Sequence, residues 1–194
     1  MILNPIVTNE NGRSDIFSVN LENRIVLLSG PIEDDMAASV ISQMLYLDST
    51  GKDEISMYIN SPGGAVNAGM AIYDVMQSLR SPVSTICMGH AASMAAVILS
   101  GGAKGRRFIL PHSEVMIHQP CGGIDGQAKD IRIAASHIES LRADLNDILA
   151  GNCNVSITEM ESATDRDHWM KAEEAVSFGI VDEVISSGDN KEDK

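Results

Sequence analysis

The sequence predicts an α/β fold in which helices cover a parallel sheet within a single domain. Between residues 24 and 100, short runs of β-branched and other apolar residues alternate with longer stretches of helical periodicity. This repeated strand–helix–strand order is typical of a parallel sheet with covering helices. The chain has 194 residues, of which 44% are hydrophobic. That length is enough for one sizeable core and short for two ordinary domains.

Six elements are predicted in the first half of the chain. The strands are expected at residues 24–28, 55–59 and 83–88. The helices are expected at residues 34–47, 68–79 and 93–100. Gly101 and Gly102 follow the last helix and end it. Each predicted strand is thus followed by a helix.

A long helix is predicted at residues 127–150, after a glycine-rich stretch. Its apolar residues recur at steps of mostly three and four and form one stripe, which consists of Ile131, Ala134, Ile138, Leu141, Leu145, Ile148 and Leu149. A helix this long protrudes from so small a domain, so we expect another subunit to bury part of the stripe. The alternative is a core helix that lies across the sheet.

Shorter signals mark the last third of the chain. Ser156 and Glu159 fit a capping box that opens a short helix. Gly179 follows a helix predicted at 172–178 and ends it. The polar segment 188–194 is expected to be disordered.

Charge and composition exclude several classes of partner. The 27 acidic residues outnumber the 14 basic ones and give a net charge of −13, which repels phosphate groups. We therefore expect neither nucleic acid nor an anionic membrane as a partner. Residues 1–5 lack a basic region followed by an apolar stretch, so neither a signal peptide nor a membrane anchor is predicted. The expected location is the cytoplasm.

No metal or cofactor is expected in this chain. The three cysteines, Cys87, Cys121 and Cys153, are widely spaced and form no C-x-x-C pair, so we expect reduced thiols. No H-E-x-x-H or other metal-ligand spacing occurs. The segment 102–105 lacks the spacing of a phosphate-binding loop, so the chain is not expected to hydrolyse ATP itself.

Ser93 lies among small residues at the start of the predicted helix 93–100. Its hydroxyl would lie beside free backbone N–H groups, including that of Met94, at the positive end of the helix. Such a serine can attack a carbonyl carbon. The alternative is an N-cap serine without a reactive role, and this segment alone favours the cap. The G-x-S-x-G elbow of α/β-hydrolases is absent, so a different serine hydrolase scaffold is required.

A Pro-Gly-Gly turn directly follows the predicted strand 55–59. Gly63 and Gly64 carry no side chains, so the backbone of this turn can approach a ligand closely. The N–H groups of Gly64 and Met94 would together form an oxyanion hole, in which losing one donor typically costs about a hundred- to a thousandfold in rate. The alternative is a simple turn.

His118 is the favoured general base among the five histidines. It ends an apolar strand before a glycine-rich stretch, where an imidazole can face a cleft. A carboxylate should orient the imidazole, and Asp165 and Asp167 are both candidates between which the residues alone do not choose. The alternatives are a structural histidine and a surface cluster of charges.

Together these residues resemble the proteolytic subunit of the Clp protease over residues 15–185. The matching stretches are 58–64 (YINSPGG), 69–74 (GMAIYD), 91–94 (AASM), 116–120 (MIHQP) and 164–167 (TDRD). As a set they are highly specific. The resemblance implies a crotonase-like fold, a serine endopeptidase activity, a triad of Ser93, His118 and Asp167, and oxyanion donors at Gly64 and Met94.

The resemblance also implies how a substrate lies in the site. An extended substrate strand would run between two segments of the chain, with Val66 and Met94 near the first pocket. The residues implied in substrate binding are Gly63, Ala65, Val66, Pro120, Cys121 and Gly122.

The family assembles as two stacked seven-membered rings that enclose a chamber, and the resemblance implies the same homo-oligomer here. The expected parts are an axial segment at 1–14, a head at 15–118 and 151–187, a handle at 119–150 and a tail at 188–194. Asp165 and Arg166 match a pair that the family uses across the ring contact. A separate AAA+ unfoldase would use the ATP and feed unfolded polypeptide into the chamber.

Several positions depart from the family pattern. Ser56 and Ser78 replace aromatic residues that line the pocket for the unfoldase loops, while His90, Ala95 and Cys121 differ near the site. These departures motivate a second hypothesis, a weakly active structural subunit that shares its ring with a related, more active subunit. A third hypothesis is a crotonase-fold enzyme that acts on acyl-CoA thioesters.

Overall fold

The computed structural model describes residues 5–9 and 12–185, and within them the chain forms seven helices and nine strands. The predicted axial segment 1–14 lies partly outside these residues, and the predicted disordered tail 188–194 lies wholly outside them. The first two strands, β1 (Ile6–Asn9) and β2 (Gly12–Asp15), pair antiparallel and lead into α1 (Ile16–Glu22).

A seven-stranded sheet forms the centre of the fold. Its strands are β3 (Ile25–Ser29), β4 (Ile55–Ser61), β5 (Val83–Ala92), β6 (Arg107–Ile109), β7 (Glu114–Ile117), β8 (His168–Lys171) and β9 (Glu183–Val184). Their order along the main path is β3-β4-β5-β6-β9, and β7 and β8 branch from β5. Every pair in this sheet is parallel except β7 with β8. The predicted α/β class with a parallel sheet is confirmed.

One edge of β5 serves two partners in succession. Residues 85–87 pair with β6, and residues 90–92 pair with β7. Gly89, with φ of +78°, lies where the first partner gives way to the second. The sequence predicted that this strand would end at residue 88, because the segment 89–92 contains only Gly, His and Ala, which have little preference for strands. The structure extends it by four residues, to Ala92.

Three helices pack on the sheet close to their predicted positions: α2 (Asp34–Thr50), α3 (Val66–Ser78) and α4 (Met94–Ser100). Helix α4 is buried at every residue, which makes it a core helix rather than an amphipathic one. In strand β4, by contrast, buried and partly buried residues alternate, and Ile55, Met57 and Ile59 are 0% exposed. Each such side chain contributes about 1.5–3 kcal/mol by leaving water, so this layer anchors the carboxyl end of β4.

Helix α5 (Ala128–Cys153) divides into an exposed half and a buried half. Leu145 and Leu149 are buried in the core, whereas Ile131 and Ile133 are 42% and 68% exposed. The first half is exposed, as expected for the protruding helix that the sequence predicts. Only the second half is buried, as expected for the alternative of a core helix. The contact of the exposed half with another subunit stays a prediction.

Two short helices, α6 (Ile157–Ala163) and α7 (Ala172–Phe178), complete the fold. The cap predicted at Ser156 is confirmed, because Ser156 Oγ accepts from the Glu159 N–H at 3.2 Å. The stop predicted at Gly179 is confirmed as well, since this residue has φ of +89° and ends α7. Within the described part of the chain, the helices are too short or too polar to span a bilayer.

A single buried guanidinium, that of Arg107, joins the carboxyl ends of three helices. It donates to the backbone carbonyls of Ser100, Asn152 and Gly179 at 3.4, 2.9 and 3.0 Å. These carbonyls lie at the ends of α4, α5 and α7, where the helix dipole favours a positive charge. One side chain therefore satisfies backbone acceptors that come from three distant parts of the sequence.

Asp182 balances the charge of Arg107. Its carboxylate accepts from Arg107 Nη2 at 2.5 Å and from Nε at 2.9 Å. Partial burial raises the pKa of Asp182, but the hydrogen bonds and charge of Arg107 outweigh it and hold the pKa below its usual value. A carboxyl with a lowered pKa stabilises the fold above its unfolded pKa, and this contribution is lost as the pH falls through the folded pKa.

The substitution Asp182→Asn should lower the free energy of unfolding by about 3 kcal/mol at neutral pH, because it leaves the Arg107 charge buried without its partner. The difference from wild type should begin to narrow as the pH falls below about 4, the pKa of an unfolded Asp, and should keep narrowing until the pH falls through the lowered pKa of the folded Asp182 carboxyl. Chemical denaturation followed by circular dichroism at neutral and acidic pH measures both effects.

Glu54→Gln is the matched control. Glu54 pairs with Arg106 at 2.7 Å, but the two side chains are 31% and 58% exposed. An exposed pair contributes about 1 kcal/mol or less. Equal losses from the two substitutions would contradict the importance assigned to the buried guanidinium.

Candidate active site

Ser93 lies between β5 and α4 in a backbone conformation that few residues other than glycine adopt. Its φ is +56° and its ψ is −124°, a strained combination that costs about 1–3 kcal/mol. The Ser93 N–H donates to the carbonyl of Met116 at 2.8 Å, which ties the residue to β7. The Ser93 side chain makes no capping hydrogen bond to the described first turn of α4. Ser93 thus occupies the N-cap position of α4 without the side-chain hydrogen bond that the cap interpretation implies.

His118 connects Ser93 to Asp167 by two hydrogen bonds. His118 Nε2 lies 2.8 Å from Ser93 Oγ, and His118 Nδ1 lies 3.0 Å from Asp167 Oδ1. In the neutral imidazole that this arrangement fits, Nδ1–H donates to the carboxylate and Nε2 accepts from the hydroxyl. The three residues predicted as a triad are brought together as a continuous chain of hydrogen bonds.

Strand pairing places these groups. Ser93 follows β5, His118 follows β7, and β5 and β7 are parallel neighbours. Asp167 precedes β8, which runs antiparallel to β7 with Ile117 opposite His168. The carboxyl ends of β5 and β7 and the amino end of β8 therefore meet at one edge of the sheet.

The structure distinguishes between the two aspartates that the residues alone left open. Asp167 is the one that reaches His118, whereas the carboxylate of Asp165 lies 3.9 Å from Arg166 Nε. The side chains of Asp165 and Arg166 are 58% and 89% exposed. This exposure leaves both available for a contact with another chain.

The turn at Gly63 and Gly64 packs directly against Ser93. A Cβ atom at Gly63 would lie 2.6 Å from the carbonyl oxygen of Ala92 and 2.8 Å from Ser93 Cβ, so no larger residue fits. Among the described residues, neither the Gly64 N–H nor the Met94 N–H has a hydrogen-bond acceptor. These two N–H groups are thus available as the donors of the predicted oxyanion hole.

A small apolar recess opens beside the Ser93 hydroxyl. Val66 and Met94, the two residues expected near the first pocket, both line it. The remaining lining residues, apart from Ser93 and His118, are Val97, Ile117, Pro120, Leu145 and Leu149. The two leucines come from the buried half of α5 and were not predicted as part of the site, because the sequence does not show that this helix returns to the core beneath Ser93.

The other residues expected to contact a substrate lie on exposed segments. Ala65, Cys121 and Gly122 are all exposed to solvent. Ala65 donates its N–H to the carbonyl of Ile32 at 2.8 Å, which fixes the segment that follows the Gly63–Gly64 turn. These residues are not among those that line the recess, but their exposure leaves them accessible to a substrate strand.

A family model described as Clp protease matches residues 8–188, which is nearly the whole chain. The chain belongs to the Clp protease family. Its α/β fold with a mostly parallel sheet agrees with this assignment. Membership places this Clp protease chain among peptidases, the class to which its hydroxyl–imidazole–carboxylate arrangement is suited.

A buried polar network in this Clp protease chain holds the segment that carries Asp167. Thr164 is 1% exposed, and its Oγ1 lies 2.9 Å from Oδ1 of Asn146, which is itself 3% exposed. The Thr164 carbonyl accepts from the Gln119 N–H at 2.6 Å, and the Gln119 side-chain amide donates to the Asp165 carbonyl at 2.7 Å. The segment 164–167 is therefore fastened both to α5 and to the residue after His118.

Sequence reasoning missed this network. The one available signal was Asn146, a polar residue that lies next to Leu145 in the apolar stripe of the long helix. A buried amide needs hydrogen-bond partners, but the periodicity of a helix does not show which distant residue supplies them.

Two of the three cysteines in the Clp protease chain, Cys87 and Cys153, are buried, and Cys121 is exposed. Burial raises the pKa of Cys87 to about 12 and that of Cys153 to about 11, so both thiols stay protonated and weakly nucleophilic. Residues 5–9 and 12–185 contain no group of three or more His, Cys, Asp or Glu side chains that is arranged to hold a metal ion.

Thr164→Val should lower the free energy of unfolding by about 1–3 kcal/mol, because it leaves the buried Asn146 amide without its partner. Adding Asn146→Leu should recover part of that loss, since replacing both partners by apolar groups removes the unsatisfied amide. Denaturation of both single variants and the double variant gives the coupling energy. Strictly additive losses would show that the two side chains do not interact.

Proposed function

We propose that this chain is the proteolytic subunit of an ATP-dependent Clp protease and a serine endopeptidase. The observation that carries the proposal is the alignment of Ser93 Oγ, His118 and Asp167 at 2.8 and 3.0 Å. Among the described residues, the N–H groups of Gly64 and Met94 have no acceptor and are available to a substrate oxygen. Ser93 is the proposed nucleophile, His118 the general base and Asp167 the group that orients the imidazole. The substrates are unfolded polypeptides, which are cut to short peptides.

In the proposed first step, Ser93 Oγ attacks the carbonyl carbon of the scissile peptide bond and gives its proton to His118 Nε2. The negative charge that forms on the carbonyl oxygen is stabilised by the N–H groups of Gly64 and Met94. Asp167 stabilises the imidazolium through Nδ1–H. The strained backbone of Ser93 contributes by presenting the hydroxyl at a sharp junction between strand and helix.

In the second half of the reaction, the tetrahedral intermediate collapses and His118 gives its proton to the leaving amine. The acyl group stays on Ser93 Oγ as an ester. A water molecule, deprotonated by His118, then attacks the ester carbonyl, and the second collapse returns the proton to Ser93. Each proton that leaves the serine or the water is accepted by the same imidazole.

We propose that the substrate lies extended between residues 63–66 and 120–122. The residue before the cleaved bond would enter the recess beside Ser93, whose apolar lining favours an uncharged side chain. Apart from Ser93 and His118, the described residues that line the recess are all apolar, so a charged side chain would lose its hydration without compensation.

The proposed assembly is two stacked rings of seven copies, joined through the exposed half of α5 and through Asp165 and Arg166. The exposure of Ile131 and Ile133 supports a buried contact at this surface in the assembly. An AAA+ unfoldase would dock on the ring, hydrolyse ATP and deliver the polypeptide. The expected compartment stays the cytoplasm.

The test is labelling by a fluorophosphonate probe and turnover of a fluorogenic peptide, each compared between wild type and Ser93→Ala. We expect labelling of the wild type alone and a fall in turnover of at least about a thousandfold in the variant. Size-exclusion chromatography with light scattering in the same buffer should show a large ring for both proteins. A wild-type ring that neither labels nor cleaves would contradict the proposal and favour the structural subunit that needs a related partner.

A further inference from the structure

Ser61 is the last residue of β4 and lies at a position where the alternation of this strand predicts an apolar core residue. In β4 the residues that point into the core are Ile55, Met57 and Ile59, all 0% exposed, and Ser61 continues the same alternation at 0% exposed. A hydroxyl at such a position costs free energy unless it is hydrogen-bonded. The Ser61 hydroxyl therefore needs a hydrogen-bond partner.

Ser61 Oγ accepts a hydrogen bond from the backbone N–H of Gly63, with an N to Oγ distance of 3.1 Å. Gly63 has φ of +86° and lies against Ser93, and it is followed by Gly64, the proposed oxyanion donor. The bond therefore fixes the residue that precedes the donor, within a turn whose glycines have wide conformational freedom.

The far side of the same turn is held by Ile32. The Ile32 N–H donates to the Gly63 carbonyl at 2.9 Å, and the Ala65 N–H donates to the Ile32 carbonyl at 2.8 Å. These bonds engage the groups on either side of Gly64 and leave the Gly64 N–H itself free. Ser61 adds a restraint from β4, the strand that precedes the turn.

We infer that Ser61 is a positioning residue for the oxyanion hole. Its hydroxyl holds the 62–64 turn so that the Gly64 N–H stays where negative charge forms on the substrate carbonyl. This inference rests on the proposed function, since it concerns the same site. It predicts that losing the hydroxyl impairs stabilisation of the tetrahedral intermediate more than binding of the peptide.

Ser61→Ala should lower kcat by about 10- to 100-fold, less than the loss of a whole donor, and change KM little. A peptide aldehyde adds to Ser93 Oγ as a hemiacetal whose oxygen occupies the oxyanion hole, so its affinity should fall by a similar factor. Affinity for the corresponding peptide acid, which forms no adduct, should stay within about threefold. Parallel losses in kcat and aldehyde affinity are the signature of a displaced donor.

Ser61→Thr and Ser100→Ala separate positioning from stability. The threonine variant keeps the hydroxyl but crowds a fully buried position, so it should unfold at a lower denaturant concentration than wild type while keeping kcat within about threefold. Ser100 is 2% exposed, accepts from Asn152 Nδ2 at 3.1 Å and lies at the opposite end of α4 from Ser93. Its alanine variant should lose stability without losing aldehyde affinity.

The outcomes distinguish this inference from the proposed function. Turnover that survives Ser93→Ala would overturn both. Turnover that depends on Ser93, together with full kcat and full aldehyde affinity in Ser61→Ala, would overturn the role of Ser61 alone. Equal losses of kcat and aldehyde affinity in Ser61→Ala and Ser100→Ala would also overturn it, by reducing the effect to general destabilisation.

Discussion

Strand β5 has to pair with two strands along one edge, and the geometry of the site depends on that division. Its first part is matched by β6, and its last residues, His90 to Ala92, are matched by β7. The chain that leaves β5 therefore emerges beside the end of β7 and within reach of the turn that follows β4. Ser93, His118 and Gly63 meet because three parallel strands end at one edge of the sheet, the place where open α/β sheets commonly bind ligands.

The strain at Ser93 is tolerated because its surroundings leave it no alternative. Helix α4 is buried at every residue, and the turn in front of it packs so closely that only glycine fits at residue 63. Relaxing the backbone conformation of Ser93 would require moving a core helix or opening the sheet. Either change would expose apolar surface, and the free energy lost in this way would far exceed the cost of the strain. The Ser93 hydroxyl is thus held by the same core that stabilises the fold.

Sequence periodicity predicted the strands and helices of the first half well, because apolar patterns there are strong and local. Periodicity failed where contacts between distant parts of the chain determine the role of a residue. The segment around Ser93 favoured a capping role for this residue. Its hydrogen bond to His118 could not be predicted from that segment, because the two residues lie far apart in the chain. The choice of Asp167 over Asp165 required the register of β8 against β7, and the local pattern around Asn146 does not show that Thr164 is its partner. The resemblance to the family predicted Asp167 as the third member of the triad, a choice that the local pattern left open.

The position of Arg107 in the chain bears on how this protein is synthesised. Its guanidinium needs carbonyls at residues 100, 152 and 179 and the carboxylate of Asp182, which is 75 residues later. At about 5–20 residues per second, translation takes roughly 4–15 seconds to cover that distance. During this interval the nascent chain carries an unpaired charge that cannot yet enter the core. Completion of the core must therefore wait until the ribosome has passed residue 182.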